Sequence, residues 1–438
     1  MNTEFVRVVG GGLAGSEAAL VLARMGRTVE LWEMRPTVKT GIHETDMLGE
    51  LVCSNSLGSD ALRDARGLLK AELRVLGSPL MSIADTCRLP AGKAFAVDRR
   101  EFGACVTRAV ASSPTITVRR SEYITLDPAV PTILATGPLT SDTLLENLRQ
   151  VLGRDNLFFY DAIAPSIWAD SVNESRVFAG SRGGSESDYV NCPLTQDEYY
   201  AFVHALQTAE QHLPELPGEQ RFFEACLPVE EMARRGDDVL RYGPMRPVGL
   251  AGRPRDCYAV LQLRSENAGR TVFGLVGFQT SLSISEQRRV LMMIPALHDV
   301  RFVRYGLIHR NAFLRGPSVL TPELALAACP RTYVAGQLAG VDGYVESIAL
   351  GLVAALNVEA VLRGVARPQF ETDTMVGLLV SYVTTERDDF QPSNANFGLL
   401  PTERTGKQHS PDREEFARRS LACVSQIAAG VSEWTTRA

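Results

Sequence analysis

The stretch Phe5–Glu33, FVRVVGGGLAGSEAALVLARMGRTVELWE, decides how the rest of the chain is read. Phe5–Val9 is a short apolar run suited to a buried parallel strand, and it breaks at Gly10, Gly12 and Gly15. A helical pattern follows from Ala14 and stops at Gly26, and Thr28–Trp32 is a second strand ending on an acid, Glu33. Together they form G-x-G-x-x-G in the strand–turn–helix–strand setting that a dinucleotide needs. The glycines let the backbone approach a pyrophosphate, whose charge then rests on the helix N-terminus. Gly10, Gly11, Gly12, Leu13, Ala14 and Gly15 are therefore candidates for holding FAD or NAD. Glu33 is the candidate for the ribose hydroxyls of the adenosine half.

The α/β pattern that starts here continues to about Gly180 and includes a second glycine-terminated strand, TILATG at Thr132–Gly137. A Gly/Ser-rich break, Ser181–Ser187, ends it. Beyond the break come a helix at Thr195–His212, a Pro-rich stretch at Pro214–Gly218, strand-like runs at Tyr258–Leu263 and Thr271–Phe278, and a helix at Ile284–Met293. Around Thr332 the α/β signature returns, with strand TYVAG, then Gln337, Gly340 and Gly343, then helix Val345–Leu362. A nucleotide domain entered, left and re-entered is the plan of glutathione-reductase-like flavoproteins, so the expected fold is an α/β Rossmann-type FAD-binding domain interrupted by an insertion domain. The expected boundaries are 1–182 for the first part, 183–325 for the insertion, and 326–438 for the return segment with a C-terminal helical region. No second G-x-G-x-x-G gives a nicotinamide a domain of its own, which favours FAD as the resident cofactor. Gly336 and Gln337 stand where such folds meet the ribityl chain and flavin, and the helix start at Gly343–Ser347 can face negative charge on a reduced ring.

Composition fits an enzyme of two or three domains in 438 residues, with 45% hydrophobic and 22% charged residues. The most apolar helical stretch, Ser347–Leu362, is interrupted by Asn357 and Glu359 and reads as a core helix, so no membrane is expected. The first strand begins at once, leaving no room for a signal peptide. Eight cysteines without C-x-x-C or metal spacing suit a reducing cytoplasm with no metal site. The net charge of −6 hides an uneven distribution: Arg221–Arg315 holds fifteen arginines against nine acids. A basic middle in an acidic protein reads equally as a solvated face or as a footprint for an RNA backbone. His309, Arg310, Arg246, Arg288 and Arg289 are the residues in it that an RNA phosphate would meet.

Two cysteines stand apart by context. Cys226 lies in FFEACLPVEEMARRG, where Pro228 suits a first helical turn, Glu230 and Glu231 complement its positive end, and Gly236 can terminate it. A thiol just before a helix N-terminus has its pKa lowered. Cys53, in ELVCSNSLGSDAL, precedes the expected helix Asp60–Leu76, and the same logic applies.

The segments GGGLAGSEAA, LVCSNSLGSDAL, FFEACLPVEEMARRG, YGPMRPVGL, VGFQTSLSISEQRRV, FVRYGLIHRN, VAGQLAGVDGYVES and NANFGLLP run in this order through almost the whole chain. Together they closely resemble the bacterial folate- and flavin-dependent tRNA (uracil-5-)-methyltransferases. The glycine fingerprint is shared with many flavoproteins, but the cysteine segments and YGPMRPVGL are far more particular. The resemblance implies formation of 5-methyluridine in the T-loop of tRNA. The carbon donor would be 5,10-methylenetetrahydrofolate, the reductant reduced FAD, and NADH or NADPH would re-reduce the flavin. Uracil C5 is a poor nucleophile until a thiolate adds at C6, so a cysteine is required. By similarity Cys226 is the leading thiol and Cys53 its partner, as base at C5 or as the nucleophile itself. Tyr344 is a candidate to stack on the folate pteridine. The same chemistry on ribosomal RNA, or a flavoprotein that binds RNA or oxidises a small molecule without methyl transfer, are the alternatives.

Overall fold

Strand Val6–Val9 lies inside a parallel sheet, paired with Val29–Trp32 on one side and Thr132–Leu134 on the other. The computed structural model describes residues 5–153, 157–182, 188–212, 227–388, 390–401 and 412–436. Ile116–Arg119 extends the sheet past Val29–Trp32, while Cys329–Val334 pairs with Thr132–Leu134 and carries the short antiparallel Ala325–Leu326 at the edge. Val6, Val8, Val29, Leu31, Ile133, Leu134 and Val334 are fully buried, as strands covered on both faces require. The chain runs out to one side of Val6–Val9 and later returns on the other. That reversal opens a crevice at the carboxyl ends of the strands.

Two helices lie together on this sheet. Leu13–Arg24 begins directly after the glycine turn, and Tyr344–Arg363 packs along it. They approach closely because Gly351 faces the Ala14 carbonyl, where any Cβ would collide. Tyr344–Arg363 is the one described helix long and apolar enough to cross a membrane, and 83% of that apolar stretch is buried within the protein. Its burial is that of a core helix.

A second, antiparallel sheet runs in the order Phe178–Ala179, Tyr189–Leu194, Ala259–Ser265, Val272–Leu275, Ser166–Trp168, Phe302–Arg304. Its core contains Tyr199, Phe202, Leu261, Phe278 and Val290 and is separate from that of the first sheet. Helix Gln196–Thr208 covers it and starts with a capping box, Thr195 with Glu198. A ladder of Leu157–Ala162 against Ile308–Phe313 links the two bodies. Strands Ser166–Trp168 and Phe178–Ala179, ahead of residue 183, thus belong to the second sheet, whereas Phe313, Val319 and Leu320, ahead of 326, pack into the first core.

The expected helix Asp60–Leu76 is shorter. It occupies Ala65–Val75 with Asp64 as N-cap, because Ser59 donates to the Asp64 carboxylate and holds residues 60–64 in a turn. Strand Ser56–Ser59 lies between this helix and Cys53.

Candidate active site

A cleft opens at the carboxyl ends of the parallel strands. One wall is the glycine turn with Leu13 and Ala14, a second is Ala135–Leu139, and the far end is formed by Gly336, Gln337, Tyr344 and Ser347. The glycines have distinct local reasons. Gly10 has φ +102°, a conformation that disfavours side chains, and a Cβ there would strike the Ala135 carbonyl. A Cβ on Gly15 would strike the carbonyl of Gly10, so it permits the helix to sit on the strand. Gly12 differs from both: a Cβ there would meet nothing within 4 Å, and the residue lines the cleft. It is the N-cap of helix Leu13–Arg24, whose first-turn N–H groups lack helical partners. An open glycine at a helix start on a sheet crevice is the cradle of a pyrophosphate, and the residues present fit FAD. Gly336 (φ +70°) comes so close to Ala14 that a Cβ would lie 2.9 Å from the Ala14 Cβ.

Glu33 is buried on the cleft wall, at the end of Val29–Trp32. Its carboxylate accepts from Gly11 N (3.0 Å) and from the backbone N, Nε and Nη2 of Arg35 at 2.9, 2.9 and 3.1 Å. Four donors fill about as many lone-pair directions as a carboxylate has. A ribose hydroxyl reaching Glu33 therefore shares an oxygen with one of these donors. Despite desolvation, the Arg35 guanidinium and the two backbone donors hold the Glu33 carboxyl below its ordinary range. Arg35 also bonds Glu50 Oε2 at 3.1 Å, tying the loop after Pro36 to the cleft. Sequence reasoning missed Arg35, although its place two residues after the acid was visible.

Beyond Val52, which lines the cleft, the chain carries Cys53. The Cys53 carbonyl accepts from Arg99 Nη2 (3.2 Å) and Arg304 Nη2 (3.1 Å), while its N–H donates to the Tyr344 hydroxyl at 2.7 Å. Ser54 N reaches the same hydroxyl (3.2 Å), and Arg264 donates to Ser54 Oγ (2.6 Å) and Asn55 Oδ1 (2.9 Å). Arg99 and Arg304 also hold the carbonyls of Leu51 and Val52. Arg264 and Arg304 belong to the second sheet, so both bodies of the protein grip this one segment.

The helix-start argument for Cys53 does not hold in this fold, because strand Ser56–Ser59 and the turn before Asp64 separate it from the helix. Desolvation pushes its thiol up to about 11, with Asp161 adding to the rise while Arg304 and Arg99 oppose it. Cys226 lies outside the described residues; the helix after it is Val229–Arg234, with Pro228 as N-cap. Glu230 in that helix is buried and accepts from Thr280 and from Ser281.

Gly343 is the N-cap of helix Tyr344–Arg363, and its φ of +129° lets Glu346 fold back over it. Gln337 donates to Asp342 Oδ1 at 3.3 Å. Asp342 is buried, and desolvation together with Asp161 and Glu346 raises its carboxyl well above the ordinary value. This end of the cleft therefore combines a helix start with several buried acids.

The basic residues are scattered. Arg289 is paired with Glu286 (2.6 Å), and Arg288 is bonded to the hydroxyl of Tyr305 and lies over its ring. Burial pushes His309 down to about 4, so it is neutral at pH 7 and is no cation for a phosphate. Arg310 lies on the linking ladder, opposite Tyr160. Among the described residues no group of three His, Cys, Asp or Glu could hold a metal.

The family model of glucose inhibited division protein A matches residues 5–366. Over 97% of this chain and 98% of the relative, the protein is 48% identical to methylenetetrahydrofolate–tRNA-(uracil-5-)-methyltransferase TrmFO of Dictyoglomus thermophilum. The chain belongs to this TrmFO family. The TrmFO of Bacillus subtilis is 45% identical over 98% of the chain and 99% of the relative, and that of Moorella thermoacetica 50% over 90% and 92%. Aquifex aeolicus GidA, at 15% identity, superposes with a TM-score of 0.70 over 97% of this chain and 74% of its own. At this identity the likeness concerns the fold alone.

Proposed function

We propose that this chain methylates C5 of a T-loop uridine in tRNA with carbon from 5,10-methylenetetrahydrofolate, the activity that its TrmFO relatives are named for. The single observation that carries the proposal is near-full-length identity to that family, 48% over 97% of the chain, in a protein that also builds the dinucleotide cradle. Bound FAD, once reduced, supplies the two electrons that take a methylene-level carbon to a methyl group. NADH or NADPH serves as the diffusing reductant, since the sequence has one glycine fingerprint. A cytoplasmic site of action fits the seven free cysteines among the described residues.

The protein's own residues divide the work. The glycine turn and the first-turn N–H groups of Leu13–Arg24 bind and orient the dinucleotide, with Glu33 at its adenosine end and Gly336, Gln337, Gly343 and Tyr344 at the other. Cys226 thiolate adds to uracil C6, which makes C5 enolate-like and able to form the new C–C bond. The C5 proton then leaves to a base, and elimination returns the C6 electron pair and frees the thiolate. Cys53 is the residue we assign to take the proton at C5: it accepts that proton as a thiolate, which the burial that raises its pKa makes a strong base. The first-sheet body, which precedes Ser166 and resumes after Arg304, is the cofactor-binding part, and the arginine-rich antiparallel body between its two segments is the part that meets RNA.

Nucleoside analysis of a deletion strain tests the function: 5-methyluridine is expected to disappear from tRNA, and its loss from ribosomal RNA instead would move the substrate. With 5-fluorouridine in the tRNA, where fluorine does not leave as a cation, the enzyme is expected to be trapped as an adduct on Cys226. Cys226→Ala should still bind FAD and oxidise NAD(P)H but transfer no carbon. Mass spectrometry that finds the adduct on Cys53 would exchange the two roles, and wild-type activity in both single cysteine variants would end the thiol mechanism.

A further inference from the structure

Between helix Val239–Tyr242 and strand Ala259–Ser265 runs a long loop whose inner and outer faces differ sharply. Met245 (0% exposed) and Leu250 (6%) anchor it inward, and its backbone is held by Arg182, which donates to the carbonyls of Pro244 and Arg246, and by Val260 N, which donates to the Met245 carbonyl. Outward it presents Tyr242, 73% exposed, Val248, 56% exposed, and the exposed residues Arg246, Arg253 and Arg255. From Arg241 to Asp256 there are four arginines and one acid.

These guanidinium groups differ from those exposed arginines that are neutralised within the protein. Arg119, Arg149, Arg289 and Arg301 each face a carboxylate. For the side chains of Arg246, Arg253 and Arg255, no ion-pair or hydrogen-bond partner stands among the described residues. Arg246 moreover lies beside half-buried Arg182, whose guanidinium pKa is lowered by desolvation and by the charge of Arg246. Like charges held together without a counter-ion favour an anion from outside. Arg241 lies over the Tyr242 ring at 5.5 Å and over the Tyr258 ring at 4.1 Å, which fixes the direction in which the exposed phenol projects.

We infer that this loop is a tRNA-docking surface: Arg246, Arg253 and Arg255 neutralise backbone phosphates, and Tyr242 offers its face to an unpaired base. The chemistry selects RNA among polyanions, because an exposed aromatic on the same short segment as unpaired arginines offers stacked bases a platform. The inference rests on the tRNA reading above. It also moves the RNA contact away from Arg288 and Arg289, whose side chains are engaged within the protein.

The test uses FAD-loaded full-length protein and unmodified tRNA transcript, with binding followed by anisotropy across a salt series. The triple variant Arg246→Gln, Arg253→Gln, Arg255→Gln should bind more weakly, and the slope of log K against log salt should fall by about one for each phosphate no longer neutralised. Tyr242→Ala should weaken binding about tenfold with the slope unchanged, since it removes stacking and no charge. Flavin absorbance and melting temperature check the fold, and turnover at saturating tRNA should be retained while KM rises. An unaltered slope in the triple variant overturns the inference, as does an equal loss in the matched control Arg289→Gln. Failure of the unsubstituted protein to bind tRNA would count instead against the tRNA reading itself.

Discussion

Arg99, Arg304 and Tyr344 fix the peptide of Cys53 from its carbonyl and amide sides, while burial holds the thiol up to about 11. Alkylation of Cys53 by iodoacetamide should therefore be slow at pH 7 and still accelerating above pH 9, because only the thiolate reacts. Labelling that levels off by about pH 10 would place the thiol in an ordinary environment. At Gly12 the open cleft space predicts a different failure: Gly12→Val should fold yet purify colourless, with the visible flavin band lost relative to protein absorbance. The glycine turn was legible in the sequence because its demands are local, a positive φ at Gly10 and a close approach at Gly15. The grip on Cys53 was not, since it joins residues 53, 99, 304 and 344, which only the finished fold brings together. The polar turn at Cys53 leads into strand Ser56–Ser59 rather than into a helix, a choice that a polar turn leaves open.

Elements were placed well wherever periodicity and caps agreed. Gln196–Thr208, Ile284–Leu291 and Tyr344–Arg363 all fall within a few residues of expectation, each with a cap or a terminal glycine that marks its end. Strands Ser166–Trp168 and Phe302–Arg304 were missed because three residues carry no readable alternation. Helix packing also depends on acids whose role no local pattern announces. Glu72, buried in helix Ala65–Val75, accepts from Met375 N (2.7 Å) and Val376 N (2.8 Å) at the start of helix Met375–Thr384, and from Ser420 in helix Arg413–Thr436. It joins three helices at one point. Glu72→Ala strands those buried donors and should cost about 3 kcal/mol of stability in chemical denaturation. A change of less than about 0.5 kcal/mol would mean that water replaces the carboxylate.

Over the whole molecule, buried carboxylates set a pH dependence opposite to that of salt-bridged ones. Desolvation raises both Glu17 and Glu72 from 4.5 to about 7. Between pH 4.5 and 7 the folded state therefore binds more protons than the unfolded chain, and their contribution to stability falls as pH rises through that window. Each group accounts for about 3 kcal/mol across it. Glu17→Gln should flatten the difference between denaturation midpoints at pH 5 and pH 7.5; an unchanged difference would assign it elsewhere. The two bodies also communicate through the segment that both of them hold. Arg304→Ala, which removes the second sheet's grip on Val52 and Cys53, should keep its flavin but lower kcat by up to about a hundredfold. Full turnover in that variant would mean that Arg99 and Tyr344 position Cys53 by themselves.

The order of the strands has a consequence for biogenesis. Thr132–Leu134 gains its outer partner only from Cys329–Val334, and helix Leu13–Arg24 gains its neighbour only from Tyr344–Arg363. While the ribosome is still making the middle of the chain, the first sheet has a bare apolar edge and an uncovered face, and the far wall of the cofactor cleft has yet to emerge. The antiparallel body, whose strands all lie between Ser166 and Arg304, can close on itself during that interval. The nascent chain thus completes its antiparallel body before its parallel sheet, and the dinucleotide cleft is finished only at the end of synthesis.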